Sequence, residues 1–191
     1  MEKALTRDWK IWSLAFIFFC FIGWLYEVIV YSFEFGYGYV NRGFLFGPWL
    51  PVYGVGGILV ILLLSGLKEK KLCIGKVNVT PIVCFFLIVF ICTTVELITS
   101  YLMEMVIGKW LWDYTMDIPN FQGRIALKSS LRFGIIGVSG LYIVWPILNT
   151  GFERMKKIMP RTFRFASILL TGIFMADVAT RFFLGCNYVG P

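Results

Sequence analysis

Apolar residues run in five long blocks, 11–33, 50–67, 81–103, 129–150 and 163–184, each broken off by a stretch rich in charge, glycine or aromatic rings. As helices rising about 1.5 Å per residue, each block covers roughly the 30 Å of a hydrocarbon core. The pattern predicts an all-α polytopic membrane helix bundle of five transmembrane helices, forming one integral membrane domain over 1–191. The first block is too long for a signal-peptide core, contains Glu27 and lacks a small-residue cleavage site, so it reads as a retained anchor. Between the first two blocks, 36–54 alternates glycine, proline and aromatics around Arg42. Pro48 and Pro51 remove backbone donors and Gly47 tolerates unusual dihedrals, which predicts a re-entrant or broken-helix segment. An interfacial aromatic belt with a turn is the simpler alternative.

Composition agrees with a membrane class. Hydrophobic residues make up 59%, charged residues 15%, and mean hydropathy is +0.79. Of the 18 basic residues, twelve lie in the amino terminus, the 68–76 loop and the 151–164 loop; Arg42, Lys109, Arg124 and Lys128 lie on the opposite side. Basic loops stay preferentially cytoplasmic, so the amino terminus is expected inside and the carboxyl terminus outside. The net charge of +7 then reflects topology and attraction to anionic membrane lipids rather than a nucleic-acid partner.

That orientation gives the intramembrane charges a depth. Glu27, sixteen positions after Ile11, lies roughly 24 Å from the inner surface, and Glu96, Glu104, Arg132, Asp177 and Arg181 fall in the same outer half. Charges in hydrocarbon are costly unless paired, hydrated or turned inward, so a layer of them implies a polar cavity or a set of structural ion pairs. Trp24, Glu27 and Tyr31 share one face of the first helix, Thr93, Glu96, Ser100 and Glu104 form a stripe on the third, and Asp177 and Arg181 are i, i+4 neighbours. Small residues Gly172, Ala176 and Thr180 on the last helix, and Ser130 with Gly134 on the fourth, predict close helix contacts.

The second outward loop carries Trp112, Asp113 and Tyr114, then Asn120, Gly123 and Arg124. Arg124 suits bidentate capture of phosphate or carboxylate, and the rings suit stacking; an Asp113–Arg124 pair pinning the loop fits the same residues. Glu27, Asn41, Arg42 and Gly43 are loosely echoed by Glu96, Asn120, Gly123 and Arg124, as in duplicated transporter halves. With no histidine, imidazole catalysis and imidazole metal ligation are excluded. No P-loop is present, and the five cysteines match no zinc or iron–sulfur spacing, so free thiols and no cofactor are expected.

Gly23-Trp24-x-x-Glu27, the run Asn41-Arg42-Gly43-Phe44-Leu45-x-Gly47-Pro48-x-x-Pro51-x-Tyr53-Gly54, Glu96-x-x-x-Ser100-Tyr101-x-x-Glu104, Trp112-Asp113-Tyr114 and Asn120-x-x-Gly123-Arg124-Ile125-x-Leu127-x-x-Ser130 resemble the CmpB-like, type IV ABC-transporter family of bacterial membrane proteins. The resemblance covers the first four spans and implies a multispan protein of the bacterial cytoplasmic membrane with a transport role; any ATPase would be a separate polypeptide. From the residues, the leading expectation is an outward-facing pocket for a small polar solute. Glu27, Glu96 and Asp177 would meet basic groups, Arg42, Arg124, Arg132 and Arg181 acidic ones, and Trp24, Tyr53, Trp112 and Tyr114 apolar parts, with Asn41, Asp113 and Asn120 alongside. A mixed-sign lining favours a zwitterion. An enzyme of outer-leaflet lipid headgroups or envelope precursors, and a non-catalytic partner or sensor, stay open.

Overall fold

The structure, a computed structural model, describes residues 8–34, 41 and 43–183, with the backbone alone at Tyr31 and Glu34. Arg42, the 36–40 part of the glycine-rich segment and Cys186 lie outside the described residues. Among the described residues, five helical stretches are long and apolar enough to cross a membrane. They are α1 (Trp9–Glu34), α2 (Pro51–Lys68), α3 (Thr80–Ile107), the run from α4 (Leu127–Ser139) through a π-helical turn (Gly140–Val144) to α5 (Trp145–Ile158), and α6 (Pro160–Phe183). Two short antiparallel hairpins complete the fold: β1 (Cys73–Ile74) with β2 (Val77–Asn78), and β3 (Asn120–Phe121) with β4 (Ile125–Ala126).

Each end has a local cause. Pro51 and Pro160 open their helices, where a missing N–H costs nothing. Gly108, at φ 71°, closes α3 by returning its N–H to Glu104 O at 2.8 Å. Gly75, at φ 62°, sits in the turn between β1 and β2. One expectation fails: the basic stretch 151–164 is not a loop. The fourth helix runs on to Ile158, only Met159 separates it from α6, and Phe152 meets Phe163 at 6.4 Å. Its lysines and arginines ride one side of an amphipathic helix whose apolar members Phe152, Met155 and Ile158 recur at spacing three; a hydropathy scan stops too early at such a segment.

The described residues condense into two compact units, those of 8–55 with 150–183, and 56–149. In the first, α1 packs along α6 through Phe16 and Phe174, 5.4 Å apart and edge to face. Asp8 meets Lys156 at 2.8 Å, and that hydrogen bond holds the Asp8 carboxyl below its ordinary range. The segment 43–50 is non-helical and bent, with Gly43, Phe44 and Leu45 buried. Its end reaches far down α1: Leu50 N–H donates to Cys20 O at 3.0 Å, fourteen residues or about 21 Å before the last residue of α1. The re-entrant expectation therefore holds for the described part. Two glycines make room, since a Cβ on Gly23 would lie 2.2 Å from Tyr53 Cγ and one on Gly54 2.5 Å from Cys20 Sγ.

In the second unit α3 packs on α4, where Cβ atoms on Gly134 and Gly137 would lie 2.5 Å from Phe85 and 2.4 Å from Ile88. Val60, Leu64, Cys84, Ile88 and Leu141 form the buried core, and Thr93 donates to Ser130 at 2.8 Å. At the π-helical turn, Leu141 O accepts from Lys68 Nζ at 3.2 Å, and the ammonium lies 5.4 Å from the Tyr142 ring. Ser130 and Gly134 thus occupy the close contact expected of them. The α6 stripe does not: Gly172, Ala176 and Thr180 are exposed, and a Cβ on Gly172 would meet nothing within 4 Å. Small residues permit close approach without requiring it.

Gly54→Ala is expected to destabilise the protein by about 1–3 kcal/mol through overpacking against Cys20 and Phe16. Gly66→Ala, where added atoms meet nothing, is expected to be neutral or slightly stabilising. Thermal unfolding in detergent reads both, and equal effects would contradict the close approach at Gly54.

Candidate functional site

The first unit gathers its polar residues around the bent segment. Glu27, half-buried on α1, accepts from Tyr53 Oη at 2.5 Å, and Tyr53 stands in the first turn of α2 over Gly23. One turn earlier, Trp24 donates its Nε1–H to Asn41 Oδ1 at 2.8 Å, and the same oxygen accepts Gly43 N–H at 3.2 Å. Asp177 turns both carboxylate oxygens to the segment, taking Phe46 N–H at 3.0 Å and Gly47 N–H at 2.7 Å. A Cβ on Gly47 would lie 2.0 Å from Trp49 Nε1 and 2.9 Å from Asp177 Oδ2, so this residue must be glycine for the carboxylate to come in.

Arg181 does not pair with its i, i+4 neighbour. Its guanidinium lies 5.1 Å from the Phe44 ring and 4.8 Å from the Phe46 ring, and its buried Nε–H meets no acceptor among the described residues. Helical spacing suggested an Asp177–Arg181 ion pair, but the carboxylate takes two loop N–H groups and the guanidinium two phenyl rings. Sequence spacing on one helix carries no information about loop amides brought to it.

The second unit builds a different cluster at the end of α3. Glu96, 4% exposed, accepts from Tyr114 Oη at 2.9 Å, and Tyr114 Oη lies 3.1 Å from Ser129 Oγ. Arg124, 6% exposed, donates from Nη1 to Ser100 Oγ at 3.0 Å and from Nη2 to Glu104 Oε2 at 2.5 Å. The rings of Tyr101 and Trp110 lie 4.1 and 4.6 Å from the guanidinium carbon. Trp110 also donates to Glu104 Oε1 at 3.0 Å, and Trp112 donates to Arg124 O at 2.9 Å. Asp113 is not the arginine's partner; it accepts Thr115 N–H at 2.9 Å and leaves Arg124 to Glu104. Asn120 ties the loop, accepting Gly123 N–H at 3.0 Å and donating to Asp117 O at 3.0 Å. Arg132, half-buried on α4, is engaged by neighbours.

Ser100, Tyr101, Glu104 and Trp110 are therefore central to this cluster although none ranked among the predicted ligand-binding residues. The Ser100/Glu104 spacing on the α3 stripe was the available signal, whereas nothing in the spacing singles out Trp110. The two units also repeat two contacts: a tyrosine hydroxyl on a deep glutamate (Tyr53 on Glu27, Tyr114 on Glu96) and an asparagine carbonyl on a glycine N–H (Asn41 on Gly43, Asn120 on Gly123).

One family model, described as Putative ABC-transporter type IV, matches residues 14–182. The chain belongs to that family. The match spans both units and, beyond the motifs of the first four spans, takes in Asp177 and Arg181 on α6. No curated protein and no solved structure matches the chain. Membership makes this a multi-pass membrane component of ABC-transporter type.

Asp177→Ala removes the acceptor of two amides and is expected to lower stability by about 2–4 kcal/mol, with Asp177→Asn, which keeps one oxygen, falling between. Denaturation midpoints of the three proteins check the order.

Proposed function

We propose that this protein is the membrane component of a transport system for a small polar organic solute, captured from the outer face in a pocket of mixed charge. In this reading the protein sits in a bacterial cytoplasmic membrane with the amino terminus inside and the carboxyl terminus outside, and a separate ATPase supplies the energy. The observation that carries the reading is Arg181: a guanidinium on a membrane-spanning helix, packed on two phenyl rings, with a buried Nε–H that meets no acceptor among the described residues. In lipid such a donor is retained where it has something to bind. Glu27 supplies the opposite sign within the same unit, with Tyr53 fixing one carboxylate oxygen. Trp24, Tyr53 and Asn41 flank it, next to Arg42 in sequence.

The other predicted ligand-binding residues take framework roles in this proposal. Asp177 holds the bent segment, and Trp112, Asp113 and Asn120 hold the 108–126 loop. Glu96 and Tyr114 brace α3 against the loop and α4, and Arg132 on α4 stays with its neighbours. A zwitterion is the ligand class that uses both Glu27 and Arg181.

Binding to purified protein in nanodiscs, measured by calorimetry and thermal shift against free amino acids, monocarboxylates and primary amines, tests the proposal. An amino acid is expected to bind, with singly charged analogues about tenfold or more weaker. Glu27→Gln and Arg181→Gln should each lose a similar factor without lowering the unliganded melting temperature. Binding by none of the three classes, or binding that survives both substitutions, contradicts it.

A further inference from the structure

The cluster around Arg124 holds a chemical mismatch. Nε–H and Nη2–H of a guanidinium point along one edge, the edge that grips an oxyanion with two parallel hydrogen bonds. Glu104 uses only half of it. Its Oε2 accepts from Nη2, but its Oε1 is drawn to Trp110 Nε1–H at 3.0 Å, and Arg124 Nε–H is left buried with no acceptor among the described residues.

The two partners also differ in how firmly they are held. The arginine side chain is 7% exposed, lies between the Tyr101 and Trp110 rings and is fixed at Nη1 by Ser100. Tyr101 is itself tied through its hydroxyl to Gln122 Oε1 at 2.6 Å. The Glu104 side chain is 43% exposed, three residues before the end of α3, where a spanning helix meets the headgroup region. The guanidinium is built in and the carboxylate is the exchangeable member.

When Glu104 swings out toward solvent, three N–H donors face the place it leaves: Arg124 Nε, Arg124 Nη2 and Trp110 Nε1. Glu104, with Oε2 on Arg124 Nη2 and Oε1 on Trp110 Nε1, reaches two of the three. A phosphate, with a further oxygen and a tetrahedral spread, reaches all three. We propose that Arg124 and Trp110 form a phosphate-binding site for which Glu104 is the displaceable internal ligand. The phosphate belongs either to a lipid headgroup or to a soluble phosphate compound. This site lies wholly in the second unit and stands independently of the solute site built on Glu27 and Arg181.

The experiment titrates inorganic phosphate into protein stripped of phospholipid in dodecyl maltoside, following thermal shift and tryptophan fluorescence. In parallel, mass spectrometry counts phospholipid retained after extraction. Glu104→Ala is expected to bind phosphate about tenfold or more tightly than the wild type, because the competitor is gone. Adding Arg124→Lys, which keeps the charge but loses the fork, should abolish the gain. Phospholipid retained by wild type and Glu104→Ala but released by Arg124→Lys identifies the headgroup as the source; phosphate binding without retained lipid identifies a soluble phosphate. Should Glu104→Ala fail to fold, Glu104→Gln keeps the Trp110 acceptor and removes the competing charge, and its phosphate affinity must still rise. A folded Glu104 variant with neither tighter phosphate binding nor Arg124-dependent lipid overturns the proposal.

Discussion

Backbone N–H groups brought to membrane depth outside a helix must find acceptors inside the protein, and this constraint governs the first unit. Each amide left unbonded in hydrocarbon costs several kcal/mol. The segment 43–50 contains Pro48, runs up to Pro51 and is non-helical, and yet it ends against Cys20 in the middle of α1. Five of its N–H groups are met: Asn41 takes Gly43, Asp177 takes Phe46 and Gly47, the Gly47 carbonyl takes Trp49, and the Cys20 carbonyl takes Leu50. A carboxylate on α6 thus serves as backbone acceptor for a segment 130 residues earlier. The glycines at 23, 47 and 54 follow from the same demand, because the segment and the first turn of α2 come close only where no side chain stands between.

The second unit solves a related problem with side chains. The 108–126 loop is held by a central arginine packed on two rings, with a carboxylate and a hydroxyl on its edges. Asn120 and Asp113 form the local turns that carry Arg124 to that place. In both units charge at the membrane boundary is used first to fix irregular backbone. Among the described residues, two buried guanidinium donors remain uncommitted after that, the Nε–H of Arg181 and the Nε–H of Arg124, and they mark where ligands are proposed.

Much of the architecture was legible because membrane helices write themselves in continuous apolar runs: α1 to α3 and α6 begin and end within a few residues of the blocks that predict them. The bent segment was legible too, since Pro48, Pro51 and the surrounding glycines exclude a helix. The fourth helix was not, because its last turns leave the apolar region and turn amphipathic, so Arg154, Lys156 and Lys157 looked like a loop. Pairings were the least legible. Asp177 and Arg181 satisfy the i, i+4 rule and Asp113 and Arg124 share a loop, yet each acid found backbone amides and Arg124 found Glu104. Local spacing fixes which side chains share a face, whereas the acceptor each finds depends on which distant backbone the fold delivers to it. Glu27 with Tyr53 and Glu96 with Tyr114 illustrate this as well, since the pairs join a helix to a segment 26 and 18 residues away.

The central claim is that 43–50 is bonded into the protein at the depth of Cys20 and is not an interfacial turn. Hydrogen–deuterium exchange of the protein in nanodiscs tests it directly at the amides of Phe46, Gly47 and Leu50. Slow exchange at all three, comparable with the interior of α1, is the result this structure predicts. Exchange at the rate of an exposed, glycine-rich loop would contradict it.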